Sequence, residues 1–320
     1  MSSSTSQTEL KRVEDLWFPD ASLILRAENS LFRVHSGILA ARSSVFRDMI
    51  AFPQPQHPEG GDADIMDGLS VVRLHDSAAE VEVFLKAIFD SSFFERPPIP
   101  VGLYAVIGVL RLSHKYDVQY LFRRALSHLE SIYPTNLQKF MDIYNGEAPS
   151  HVRSSMIATV HMDTLRAASE VGATWLLPTV YYHIAGASSL IRSAEGRLSV
   201  ADIQKCLIAQ TAFVRATAES HSFLRLLPVP ACRTPANCRA AVSAAYSMLD
   251  EWSHDQADYD PLSFWVFYCT YPPCSDCEKM AQSSFSAVQA SFWDRLPSIF
   301  GLAEWEELKK MEAAIMESAA

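Results

Sequence analysis

Apolar residues in this chain change their period part way along, and that change limits the folds open to it. Through Leu74 the runs are short and β-like. Leu23-Ile24-Leu25 and Leu31-Phe32-Arg33-Val34, parted by the turn residues Glu28-Asn29-Ser30, read as a hairpin, and Val71-Val72-Arg73-Leu74 reads as a third strand. From Val81 onward helical spacing takes over. Val81, Phe84, Leu85, Ile88 and Phe89 share one helical face, as do Leu103, Val106, Ile107 and Leu110. The longest series, Val118, Leu121, Phe122, Ala125, Leu126, Leu129, Ile132 and Tyr133, advances by threes and fours until Pro134 stops it. Beyond Pro134 no strand is expected, and helices are expected over 135–145, 160–173, 178–188, 200–219, 236–252, 278–293 and 304–316. Strands first and helices afterwards predict an α+β domain followed by a mainly α-helical one. The boundaries read as a flexible arm at 1–13, an α+β domain at 14–133 and a helical domain at 134–320.

Between the hairpin and the third strand lie two short helical signals. Ser36 is the expected N-cap of a helix through Gly37-Ile38-Leu39-Ala40-Ala41, and Ser43 of a second carrying Val45, Phe46, Met49 and Ile50 as one stripe. Three prolines and three glycines make 52–69 a loop. With 320 residues, 49% apolar, and only 11 glycines, the chain can build a substantial core. The net charge of −10 and the lack of a long Lys/Arg run argue against direct nucleic-acid binding, which needs a basic stripe to displace counterions. The polar start MSSSTSQTELKRVEDLWF lacks the apolar stretch of a secretory signal, and Leu103–Leu110, among the longer apolar runs, is far too short to span a membrane. Six cysteines without such a signal imply a reducing compartment, cytoplasmic or nuclear, with free thiols or metal ligands in place of disulfides.

The ordered set of signals over 20–133 resembles the BTB/POZ fold. Asp20 opens the first strand, His35 ends a strand, and Leu39-Ala40-Ala41, Ser43 or Ser44, Phe46 and Met49 follow in the places of that family's helix pair. Val71-Val72-Arg73-Leu74 with Asp76, then Leu112, Tyr116, Val118 and Leu121, match its later segments. Two departures stand out: Ser36 occupies the position after the histidine where the family usually carries a basic residue, and the insert at 52–70 is long. Trp293, Leu296-Pro297, Phe300, Leu302, Trp305 and Leu308 resemble the closing segment of fungal BTB proteins that carry a helical C-terminal region. The resemblance implies a non-enzymatic protein that pairs with itself or with another BTB protein. It also implies recruitment of a cullin ubiquitin-ligase scaffold, as an adaptor, or a transcriptional or scaffolding role. Pairing would use the first helices and the segment before the first strand, so Leu16, Trp17, Phe18, Ile38, Ala41 and Arg42 are candidates for the dimer interface. Trp17 and Phe18 can instead cover the domain's own core. His35 suits a structural role, one ring nitrogen donating and the other accepting from nearby backbone.

Five cysteines (Cys232, Cys238, Cys269, Cys274 and Cys277) fall within 46 residues. Cys274-Ser275-Asp276-Cys277 has the spacing that turns two thiolates onto one tetrahedral zinc. The second pair would be Cys232 with Cys238, or Cys238 with Cys269 or a histidine such as His254. The alternative is unliganded thiols, since free cysteine packs as a small hydrophobe, and Cys269 within FWVFYC looks like one. A thioredoxin-like role would need a βαβ setting that is missing.

No catalytic motif appears: there is no Gly-x-Ser-x-Gly, P-loop, dinucleotide fingerprint or His-Glu-x-x-His. His114-Lys115-Tyr116-Asp117 falls at an expected helix-pair turn, and His151 and His161 are too far apart on a helix to share a metal. The rival reading is an enzyme whose site lies among the helices of 134–320, and clustered acids, bases or nucleophiles lining one pocket there would support it.

Overall fold

The computed structural model describes residues 9–51, 65–144, 158–187, 191–192, 196–255, 260–262 and 273–317, with 144, 158 and 250–255 described by backbone alone. The chain divides at Leu129/Glu130 into two compact units, four residues before the boundary expected from sequence.

The first unit is mixed α+β. Strands β1 (Lys11–Trp17), β2 (Leu23–Ala27), β3 (Ser30–Val34), β4 (Ile65–Met66) and β5 (Leu69–Leu74) form one sheet in the order β1-β3-β2-β5-β4. The expected hairpin is the β2–β3 pair, antiparallel with Leu25 opposite Phe32, and β5 runs parallel to β2 on its other side. Flanked by β3 and β5, β2 is buried along nearly its whole length. Strand β1 pairs parallel with β3, so residues 11–13, expected in a flexible arm, belong to the sheet. Its polar sequence KRVEDLW lies at the sheet edge with only Leu16 buried, which is why no alternating pattern announces it. Inside the expected loop, β4 and the start of β5 form a hairpin around Asp67-Gly68, whose φ angles of 52° and 77° suit the tight turn that such a pair favours.

Helices α1 (Ser36–Arg42) and α2 (Ser44–Ala51) follow the β2–β3 hairpin. Ser36 is the first helical residue of α1 and does not cap it. The His35 carbonyl accepts from the amides of Ile38 and Leu39 at 3.2 and 3.3 Å, while Ser36 pairs its hydroxyl with Ser22. Ser43 does cap α2: its Oγ accepts from the Phe46 amide at 3.0 Å and donates to the Tyr116 carbonyl. Helices α3 (Ala78–Phe89) and α4 (Leu103–Lys115) pack as a pair, and at Gly108 an added Cβ would sit 2.9 Å from Val83 Cγ2, so the missing side chain allows their close approach. Helix α5 (Gln119–Glu130) ends before Pro134 is reached.

The second unit contains helices only, among the described residues. They are α6 (Leu137–Tyr144), α7 (Ala158–Glu170), α8 (Leu177–Gly186), α9 (Val200–Ser220), α10 (Pro235–Asp255), α11 (Ser275–Ile299) and α12 (Trp305–Glu317). Two 3-10 turns, Thr174–Leu176 and Ser222–Leu226, had no counterpart in the sequence reading. Helix α8 is buried nearly all round and packs against α7, α9 and α11. Its Tyr181 stacks on Phe300 at 4.9 Å, and Tyr182 meets Phe213 and Phe292. None of the helices among the described residues is long and apolar enough to cross a membrane.

Candidate functional site

The four cysteines Cys232, Cys238, Cys274 and Cys277 come together in the second unit. Their sulfurs all lie within 4.8 Å of one another, with Cys238 and Cys277 buried and Cys232 and Cys274 half-buried. Local structure delivers each thiol. Thr234 precedes Pro235 as the N-cap of α10, and its carbonyl accepts from the Cys238 amide at 3.0 Å, which places Cys238 on the first turn. Cys274 is the N-cap of the 25-residue α11, and Cys277 sits on that helix's first turn. Cys232 closes the turn before α10, its amide donating to the Val229 carbonyl at 3.0 Å. Two helix N-termini therefore converge on the sulfurs, and the positive end of a helix favours thiolate.

The donor set around the sulfurs points the same way. The Cys274 amide donates to Cys238 Sγ at 3.3 Å. The amides of Cys277 and Arg233 face Cys274 and hold its thiol down to about 6, while burial pushes Cys277 up to about 12 and raises Cys232 as well. N–H groups aimed at sulfur stabilise the deprotonated form, which is the form a metal takes. The Cys274–Cys232 sulfur separation is 3.7 Å. Zinc–sulfur bonds of about 2.3 Å define a tetrahedron with edges of about 3.8 Å. The Cys232–Cys274 pair matches that edge, and the four sulfurs lie close enough together to hold a metal ion. The alternative partners of Cys238, the His254 side chain and Cys269, lie outside the described residues. So does the reading of Cys269 as a packed thiol.

The helix pair of the first unit is the other candidate. Leu39 and Phe46 are fully buried, with Phe46 stacked on Tyr116 at 4.6 Å. Among the other apolar side chains of the two helices Ile38 is 42% exposed, Val45 40% and Ile50 37%, with Ala41 and Arg42 also in solvent. Arg42 lays its guanidinium 5.5 Å above the Tyr120 ring. Leu16, expected at an interface, is 1% exposed, because on β1 it turns into the unit's own core. Phe18 lies between His35 and Phe89, at 5.4 and 5.5 Å, and Arg12 covers Trp17. Both aromatics thus pack on their own unit. Asp20 and His35 approach to 3.6 Å, and the His35 ring caps no helix.

His114-Lys115-Tyr116-Asp117 forms a clamp. Lys115 and Tyr116 both bind the Asp76 carboxylate, and Asp117 accepts from Ser44 and Gln119. Sequence reasoning missed a buried group in the second unit, where Tyr133 hydrogen-bonds His161 Nδ1 at 2.9 Å and His161 stacks on His183 at 4.8 Å. Burial drives His161 down to about 4, so both its nitrogens stay neutral at ordinary pH. No spacing signal finds this group, since Tyr133 lies in the bend after α5 and the two histidines on α7 and α8. It also missed Glu130, which burial and the nearby Glu312 carboxylate push up to about 7 while the Trp175 indole donates to it.

Comparison of the chain with protein-family models, with curated proteins and with solved structures finds no match.

Proposed function

We propose that the protein is a non-enzymatic interaction protein of BTB/POZ type, whose first unit pairs with a second copy or with another BTB protein. The observation that carries this reading is the set of exposed apolar side chains on the α1–α2 pair. Ile38, Val45 and Ile50 are each more than a third exposed, as are the small Ala41 and the cation of Arg42, while Leu39 and Phe46 of the same two helices are buried. Three large apolar side chains this exposed on so short a segment offer apolar surface that association would cover. The β2–β3 hairpin, the two short helices and the α3–α5 helices, in the order the resemblance implies, support the assignment. By the same resemblance the second unit carries the surface that captures a partner, and a cullin ubiquitin-ligase scaffold fits the first unit.

The test is sedimentation of the full chain at micromolar concentration. A dimer is expected, and Ile38→Asp should give a monomer with an unchanged circular-dichroism spectrum. A wild-type chain that sediments as a monomer alone and with candidate BTB partners would overturn the reading.

For the cysteine cluster the proposal is a structural zinc held by Cys232, Cys238, Cys274 and Cys277. Four cysteines whose sulfurs lie within 4.8 Å of one another, with amides facing them, match a closed structural site with no open position for substrate. Elemental analysis of the purified chain should find one zinc per molecule, and none in Cys277→Ser.

A further inference from the structure

The four thiols are unequal in a way that a purely structural zinc site does not require. Cys238 and Cys277 are sealed, at 0% exposure each, and lie on the first turns of α10 and α11. Cys232 and Cys274 reach solvent, and they come from different arms of the site, the turn before α10 and the N-cap of α11. These two accessible sulfurs are also in direct contact, at 3.7 Å. An oxidant arriving from water therefore meets two adjacent sulfurs with no intervening residue.

We propose that Cys232 and Cys274 form a peroxide-sensitive modification site, at which oxidation joins them in a disulfide and expels the zinc. The proposal rests on the zinc reading above. One accessible thiolate attacks a peroxide oxygen, so that a sulfur–oxygen bond forms, the oxygen–oxygen bond breaks and hydroxide leaves. The second thiolate displaces hydroxide from the resulting sulfenic acid and closes the sulfur–sulfur bond. Both hydroxides take protons from solvent. In sum, two thiolates, one hydrogen peroxide and two protons give one disulfide and two waters, the sulfurs being oxidised and the peroxide reduced. The metal then keeps only the two buried thiolates, too few for a tetrahedral structural site, and dissociates.

The linkage has a structural logic. Zinc ties the turn at Cys232 to the start of α11, and the disulfide would tie the same two places. Contacts among Phe223, Leu224, Ala245, Ala281 and Phe285 hold α10 and α11 together independently of either bond. Oxidation should therefore free the metal without unfolding the unit.

The experiment treats the full-length zinc-loaded chain with hydrogen peroxide. Released zinc is followed with a chromogenic chelator, and the bond formed is identified by non-reducing peptide mapping. Zinc release one-for-one with a Cys232–Cys274 disulfide, reversed by dithiothreitol and added zinc, is the expected result. A chain that carries no zinc as isolated overturns the metal reading and the proposal with it. A chain that carries zinc and keeps it through oxidation of its accessible thiols overturns the proposal alone. So does one that loses zinc with a different disulfide or with only sulfinic acid.

Discussion

Ser43 does two jobs with one hydroxyl, accepting from the Phe46 amide and donating to the Tyr116 carbonyl across 73 residues. Its replacement by alanine removes a helix cap and leaves a buried carbonyl unpaired. Ser43→Ala should therefore cost roughly 2 kcal/mol, read as a lower urea midpoint with an unchanged slope. The cap was legible in sequence because capping acts within three residues; the bond to Tyr116 was not, because it depends on how α2 meets α4. His161 makes the same point about charge. Burial holds it at about 4, against about 6.5 for an exposed histidine. Between those values the unfolded chain binds a proton that the folded chain refuses, so stability rises with pH across that window and is lost as pH falls from about 6.5 to about 4. The loss attributable to this one group is on the order of 3 kcal/mol. Urea unfolding of wild type and His161→Gln at several pH values checks it: the wild-type advantage should shrink steadily as pH falls through the window.

At the scale of elements, the end of α11 shows how a motif read as a pattern acquires a mechanism. Leu296, Phe300 and Leu308 are buried, as the apolar spacing of that segment implies, and Trp293 and Trp305 stack at 5.0 Å. The turn between them is closed by two bonds, Leu302 amide to Pro297 carbonyl and Gly301 amide to Ser298 carbonyl, both at 3.0 Å. That pairing requires a residue at positive φ, and Gly301 supplies it at 67°. Gly301→Ala should lower stability by about 1 kcal/mol, visible as a drop in thermal midpoint, because the alanine Cβ is strained there even though the surrounding space is open. Helices were the more legible elements, since each carries its own apolar face over several turns. The short strands β1 and β4 were not. Strand β1 buries one side chain, and β4 has two residues whose Asp67-Gly68 turn was the signal available.

For the whole molecule, the division at Leu129/Glu130 separates a sheet-based unit from a helical one. If zinc staples the second unit, a high-affinity chelator should lower the calorimetric unfolding temperature of the chain, and added zinc should restore it. Cys277→Ser should melt at the lower temperature with or without chelator. A chain whose melt ignores chelation would remove the metal from any account of its stability. Sequence alone determined the order of the β2–β3 hairpin, β5 and the first-unit helices, the Ser43 cap and the Cys274–Cys277 turn, because each rests on residues within a few positions of one another. Tertiary structure alone decided that Leu16 faces inward, that His161 and His183 stack, and that the amide of Cys274 reaches the sulfur of Cys238, 36 residues away. Contacts of that range follow from how helices and strands pack together, and no local spacing encodes the packing.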